Sequence, residues 1–576
     1  MLTLVIGRPA TVFSGMRRFS FFLIAVVLTA LACSDAGDSS VSAASDASID
    51  WEACGQNECG TLSVPLDYAK PDGATIELSL VRYKARDPDR RIGVLLANPG
   101  GPGASANDFM RIWRSIVSSE LRDRFDFVSF DPRGVGDSSP VVCHDNLQDL
   151  VAADPDPDTE AEWQEAKAES KEFADNCAKK YGAVLPHLGT KNVARDMDAI
   201  RVALGEEKLN YVGYSYGTSL GAVYADMFPG RIRAMVLDGG TNLSLDFAEV
   251  NLTQMIGFER AFQAYLDNCK EKSCALAKNG DPRTAVEAII ARAELKPIPS
   301  KDADRPAGPG EVQLGIISAM YSTFSWNSLT QALVAAQGGD GSGLVDLTDE
   351  YLQRDGSGDY PNLIEANAAV NYVDQVCPKD PDAYRNLGDE FAKQAPTFGR
   401  SAATAGLTCA YWQAAPDAVR APEAKGAPPI LVIATTNDPA TPYEWGKALS
   451  EQLDSGVLVT HRGEGHTIYA QGNKCIDSLV NAYLLALAVP AAGTTCGTGA
   501  LPPGQSATAT PSSPPTEGAG TPAAASPTAS PRESPRPPAT GDARDDGSLT
   551  VGLWAAGAVL AALLAGALTV LVIRRT

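Results

Sequence analysis

At 576 residues, with 44% hydrophobic side chains, the chain has material for a large folded domain and for further segments beside it. Its formal net charge of -22 argues against a charge-driven partnership with nucleic acid, whose phosphates it would repel, and against electrostatic docking on anionic lipid.

Met16-Arg17-Arg18 is a short basic stretch, residues 19–32 are apolar, and small residues precede Cys33, so residues 1–33 read as an export signal. Ala30-Leu31-Ala32-Cys33 also resembles a lipobox, in which the cysteine becomes a lipidated N-terminus; ordinary signal cleavage nearby is the alternative. Residues 34–50 are small, polar and acidic, a flexible tether, and folding is expected from about Trp51. Residues 59–66 and 75–85 read as strands joined by the turn Lys70-Pro71-Asp72-Gly73. Short apolar runs at 92–97, 127–130, 209–212, 232–237, 430–434 and 457–460 alternate with helical patterns, which predicts buried strands of a mainly parallel α/β sheet. Residues 145–180 are charged and helix-prone. Two sheet strands are separated by residues 242–427, far more than a crossover needs, with helical patterns at 258–268 and 312–336; this is expected to be an inserted, mostly helical cap domain between core segments 51–241 and 428–497.

Residues 498–548 are rich in Pro, Ser, Thr, Ala and Gly and too poor in large apolar groups to fold, which describes a stalk. Residues 549–573 form an apolar run long enough, at about 1.5 Å per residue, to cross a bilayer of about 30 Å. Arg574-Arg575 would leave residues 574–576 as a cytoplasmic tail and everything upstream outside. Pro537-Pro538-Ala539-Thr540-Gly541 resembles a sortase pentapeptide, with Pro537 where Leu normally stands, so two fates are open: a retained membrane anchor, or sortase transfer after cleavage between Thr540 and Gly541.

Eleven cysteines in an exported chain point to disulfides, and setting Cys33 aside leaves an even number. Their order suggests Cys54 with Cys59, Cys143 with Cys177, Cys269 with Cys274, Cys377 with Cys409, and Cys475 with Cys496. None has the repeated short spacing with histidines that a zinc site needs, and no metal is expected.

The chemistry concentrates at strand ends. Gly213-Tyr214-Ser215-Tyr216-Gly217 lies between a predicted strand and a predicted helix, the setting of a nucleophile elbow, where flanking glycines relieve crowding around a strained serine. A serine hydroxyl needs a base. Of four histidines, His144, His187 and His461 sit in structural settings, whereas His466, in Gly463-Glu464-Gly465-His466-Thr467, follows the last predicted strand. Asp438, after the strand at 430–434, completes the order Ser, Asp, His. Asn98-Pro99-Gly100-Gly101-Pro102-Gly103 offers backbone amides for an oxyanion, with Gly101 expected to join Tyr216 and Gly100 as the near alternative. This turn lacks the lysine of a P-loop. Asp131-Pro132-Arg133-Gly134-Val135-Gly136-Asp137-Ser138 is expected to be structural.

Together with Val64-Pro65-Leu66-Asp67-Tyr68, these segments resemble the secreted tripeptidyl aminopeptidase and proline iminopeptidase group of α/β-hydrolases, over about residues 51–496. The resemblance implies an α/β-hydrolase fold, peptide substrates, an acyl-enzyme and no cofactor. Asn98 stands where single-residue proline iminopeptidases commonly have His, which leans toward the tripeptidyl branch. The resemblance also implies acidic cap groups that hold the substrate α-ammonium; Asp374 and Asp380, flanking Cys377, are candidates by location, but the usual acidic position two residues after that cysteine is Lys379. The same triad would serve an esterase or lipase, and a non-catalytic surface binding protein is a third reading.

Overall fold

The structure, a computed structural model, describes residues 48–144 and 147–499. The export signal with its lipobox, nearly all of the tether, the stalk, the sortase-like pentapeptide, the apolar run at 549–573 and the tail lie outside the described residues. Among the described residues no helix is long and apolar enough to cross a membrane.

Among the described residues ten strands run in chain order as β1 (Asp50–Cys54), β2 (Asn57–Pro65), β3 (Thr75–Tyr83), β4 (Gly93–Asn98), β5 (Phe125–Phe130), β6 (Leu209–Tyr214), β7 (Ile232–Asp238), β8 (Ile430–Asn437), β9 (Gly456–Glu464) and β10 (Thr495–Gly497). They form one sheet in the order β1-β2-β3-β5-β4-β6-β7-β8-β9-β10. Pairings from β1 through β5 at that edge are antiparallel, and those from β5 across to β10 are parallel. Sequence pattern explains the contrast. β2 and β3 alternate exposed and buried residues, as a sheet covered on one face requires, whereas β4 and β6 are buried at every position because helices cover both faces.

Leu95 belongs to one apolar layer, with Phe109, Trp113 and Val212, and its neighbour Leu96 to the opposite layer, with Leu78, Met197 and Met235. From β4 the chain moves outward to β5 and then returns to β6 on the other side of β4. The loops leaving β4 and β6 therefore diverge at the carboxyl edge of the sheet and open a crevice, the usual place for a site in such sheets. Asn98 pairs with Gly213 at this edge, which sets the oxyanion loop beside the elbow.

Between β7 and β8 lies the large insertion, mostly helices, among them Phe247–Glu271, Pro282–Leu295, Pro309–Met320, Trp326–Gly338, Ser342–Leu352 and Leu363–Asp374. It has an apolar cluster of its own, including Phe258, Phe262, Tyr265, Ile316, Leu333 and Leu344. The pattern at 312–336 does not form one helix: it breaks after Met320, and Ser322 caps the short turn Thr323–Ser325 by accepting from the Phe324 amide. Hydroxyl side chains that bond nearby backbone compete with helix continuation, and the break carries Tyr321 to the site described below. Among the described residues the disulfides are Cys54–Cys59, Cys143–Cys177, Cys269–Cys274, Cys377–Cys409 and Cys475–Cys496.

Candidate active site

Ser215 directly follows β6 and precedes the helix Tyr216–Met227, with φ 52° and ψ -124°. That region is costly for a residue with a Cβ and persists only where surroundings enforce it. Two contacts enforce it here: the Ser215 amide donates to the Asp238 carbonyl at 2.9 Å, and the Ser215 carbonyl accepts from the Thr218 amide at 2.8 Å. The flanking glycines are needed because a Cβ on Gly213 would lie 2.3 Å from the Gly217 carbonyl oxygen, and one on Gly217 2.8 Å from that of Asn98.

In the adjacent loop Gly100 has φ 102°, and a Cβ there would fall 2.6 Å from the Tyr214 carbonyl oxygen and 3.1 Å from the Tyr216 nitrogen. The Gly100 amide donates to Asn98 Oδ1 at 3.0 Å. It is thereby committed inside the loop, in contrast to the next amide, that of Gly101. Tyr216, as the first helical residue, has an amide with no intrahelical acceptor.

His466 and Asp438 meet from the ends of β9 and β8. Nδ1 of the buried His466 lies 2.9 Å from Asp438 Oδ1 and 3.0 Å from Oδ2. The fully buried Asp438 carboxylate also accepts from the amides of Ala440 and Thr441 and from the Thr441 hydroxyl, at 2.8 to 3.0 Å. These bonds replace the water that burial removes. They also aim the carboxylate at the imidazole, and with Nδ1 protonated the opposite nitrogen is left as the basic one. Gly239, with φ 73°, is tightly enclosed: a Cβ there would lie 3.0 Å from Thr441 Oγ1 and 3.1 Å from His466 Cε1. Tyr321 of the insertion accepts the His466 amide on its carbonyl at 2.9 Å and stands edge-on to the imidazole, ring centroids 5.4 Å apart.

Asp238 links both halves. Its carbonyl holds the Ser215 amide, and its Oδ2 accepts from the amides of Ile468 and Tyr469 in the histidine loop, at 2.9 and 2.7 Å. Burial pushes this carboxyl up to about 6. Neither Asp238, Gly239, Thr441 nor Tyr321 was expected from sequence; Asp238-Gly239 at the end of a buried strand was the one available signal.

The other histidines serve packing. His461 lies 3.2 Å from the Thr435 hydroxyl, His187 offers its carbonyl to Arg133, and His144 stacks on Phe173. Arg133 is fully buried in a bidentate pair with Asp196, at 2.5 and 2.7 Å, and Tyr68 donates to the same carboxylate. The 131–138 and 64–68 segments thus meet through Arg133 and Tyr68 at the buried Asp196 carboxylate. Of the two acidic residues considered for the substrate amine, Asp380 is exposed and caps the next turn by accepting from the Asp382 amide. Asp374 is partly buried and bonded to Thr190, not solvated. Lys379 donates to the carbonyls of Cys409 and Trp412.

A serine held in a strained elbow, a histidine paired with a buried carboxylate and a mainly parallel sheet define a serine hydrolase of the α/β-hydrolase fold. Residues 93–287 match the family model for the alpha/beta hydrolase fold and residues 395–496 that for TAP-like protein. Serine protease Hip1 of Mycobacterium tuberculosis is 38% identical over 478 residues, 78% of this chain and 91% of that protein. Tripeptidyl aminopeptidase of Streptomyces coelicolor is 35% identical over 482 residues, 80% and 88%. Carboxylesterase B of Mycobacterium tuberculosis is 37% identical over 450 residues, 76% and 86%. The chain belongs to the TAP-like group of α/β-hydrolases.

Proposed function

We propose that this protein is an exported serine exopeptidase that removes short peptides, tripeptides foremost, from free N-termini. Ser215 Oγ attacks the scissile carbonyl while His466 takes its proton, and Asp438 stabilises the imidazolium that forms. The amides of Gly101 and Tyr216 receive the oxyanion, worth several kcal/mol per well-placed donor pair. His466 then protonates the departing amine, leaving the N-terminal peptide as an ester on Ser215, and water activated by the same histidine releases it. These groups handle every proton and charge of the cycle, so the reaction calls for no metal or cofactor.

The pairing of His466 with Asp438 and the strained elbow at Ser215 together support the mechanism, and likeness to a tripeptidyl aminopeptidase over most of the chain supports the substrate class. The commitment of the Gly100 amide to Asn98 favours Gly101 as the loop's donor. Five disulfides support action in an oxidising compartment. In this reading residues 51–241 and 428–497 form the core, 242–427 the cap, and the chain works on the outer face of the membrane. It is held there by residues 549–573, by a sortase acceptor after cleavage at Thr540-Gly541, or through a lipid on Cys33.

A second reading, ester hydrolysis by the same residues, is favoured by the carboxylesterase relative. Tripeptide amides with free and with acetylated N-termini, run beside short-chain and long-chain esters, separate the two. Preference for the free N-terminus supports the exopeptidase; equal cleavage of blocked and free peptides, or turnover of esters alone, rejects it.

A further inference from the structure

The tyrosines on either side of Ser215 are tethered in opposite directions. Tyr214 donates from its hydroxyl to the Tyr469 carbonyl at 3.3 Å and so holds the histidine loop. Tyr216 reaches the other way, its hydroxyl 2.6 Å from Thr190 Oγ1, at the start of the helix Thr190–Ala203. Thr190 in turn donates its hydroxyl to Asp374 Oδ2 at 2.5 Å and its amide to Oδ1 at 2.9 Å. An ionised carboxylate can only accept, and a threonine hydroxyl has one proton. With Asp374 ionised the chain of bonds has one direction, Tyr216 donating to Thr190 and Thr190 to Asp374; a protonated Asp374 keeps the same contacts with the hydroxyl protons free to run the other way.

Asp374 is the last residue of the helix Leu363–Asp374, within the insertion. The opposite end of this helix presses on the oxyanion loop. Asn367 Nδ2 donates to the Pro102 carbonyl at 3.1 Å, and a Cβ on Gly103 would stand 2.7 Å from the Leu363 carbonyl oxygen and 3.0 Å from the Asn367 nitrogen. One helix thus contacts the loop that carries Gly101 and, through Thr190, the ring of Tyr216.

We propose that Asp374 is a positioning residue for the oxyanion site: through Thr190 it fixes Tyr216, so that the helix Leu363–Asp374 sets the spacing between the two oxyanion donors. This rests on the assignment of the Tyr216 amide as a donor, and it replaces the amine-binding role considered for Asp374 from sequence. The hydrogen bonds of this carboxylate point to Thr190, and Gly189 lies against it, a Cβ there falling 2.8 Å from Oδ1. A donor shifted by a few tenths of an ångström still binds substrate but receives the developing oxyanion less well. The effect belongs in kcat and not in KM.

Thr190→Val removes the hydroxyl at nearly constant shape, Thr190→Ser retains it, Tyr216→Phe cuts the tether at its other end, and Asp374→Ala removes the anchor. kcat and KM are measured for a free tripeptide amide and for p-nitrophenyl acetate, an ester with no amine, after circular dichroism has shown each variant folded. The expected result is a fall in kcat on the order of tenfold for both substrates in Thr190→Val, Tyr216→Phe and Asp374→Ala, with KM within about twofold. Thr190→Ser should stay near wild type, and Thr190→Val with Asp374→Ala combined should lose no more than either alone. A rise in KM for the peptide with ester turnover untouched would make Asp374 an amine-binding group and overturn the proposal. Unchanged kcat in folded Thr190→Val and Tyr216→Phe would overturn it as well. Should wild type prove inactive on peptides, the ester arm still reads the positioning effect, which separates failure of the exopeptidase assignment from failure of this one.

Discussion

The carboxyl edge of the sheet and the inserted helices contribute to the site in different currencies. From the sheet come the groups proposed to react, Ser215, Asp438 and His466, each just beyond the carboxyl end of a strand and each in a short loop shaped by glycines or by a hydrogen-bonded carboxylate. The insertion touches those loops from outside: the Tyr321 carbonyl holds the His466 amide, Gln254 donates to the Ala440 carbonyl at 2.7 Å, and Asn367 donates to Pro102. On the proposed mechanism reactivity resides in the core, and the insertion tunes where its loops stand. Losses in the core should be large and losses in the insertion graded.

The largest effect is expected at Asp438. Asp438→Asn would retain the shape but present the wrong partner to Nδ1, and kcat should fall by about 10,000-fold, measured on whichever substrate class wild type turns over. A fall of less than about tenfold would break the comparison at its strongest point. Gly239→Ala comes next. The added methyl crowds His466 Cε1, and φ 73° strains a residue with a Cβ, so kcat is expected to drop on the order of 100-fold, with about 1 kcal/mol of stability lost in urea unfolding. Asn367→Ala in the insertion should cost only about fivefold in kcat, the equivalent of one hydrogen bond of about 1 kcal/mol. A loss there as large as that of Gly239→Ala would move the insertion from tuning into the reactive machinery.

The smallest effect concerns pH. Burial pushes the Asp374 carboxyl up to about 7, with Asp417 adding to the rise and the hydrogen bonds from Thr190 and the charge of Lys191 opposing it. The unfolded chain releases this proton near pH 4 and the folded chain near pH 7, so the contribution of Asp374 to stability is present at low pH and lost as pH rises through that window. Urea unfolding of wild type and Asp374→Asn at pH 5 and pH 8 should therefore show the wild-type advantage shrinking toward pH 8, by on the order of 1 kcal/mol after solvent screening.

How far this could be seen in the sequence follows the same division. The eight inner strands announce themselves as apolar runs because burial on both faces, or on alternate residues, demands it; β1 and β10 escaped because edge strands such as Thr495–Gly497 carry no such pattern. Ser215, Asp438 and His466 sit in loops whose shape needs particular residues, so the letters disclose the geometry. Gly239 and Thr441 act through shape and through a hydroxyl in sequence contexts that suit any turn. Tyr321 contributes mainly a carbonyl, which every residue possesses, and what places it is a helix break inside a run that reads as continuous. Asp374 drew notice for its charge beside Cys377, whereas its partner, Thr190, is 184 positions away along the chain. No local pattern discloses such a pairing.

The central claim is that Ser215 becomes acylated with His466 as its base. Incubation of the full chain with a fluorophosphonate, followed by digestion and mass spectrometry, tests it directly. The account predicts one adduct, on the peptide carrying Ser215, absent from Ser215→Ala and formed at least about 100-fold more slowly in His466→Ala. An adduct on another residue, or hydrolytic activity surviving in Ser215→Ala, would contradict it.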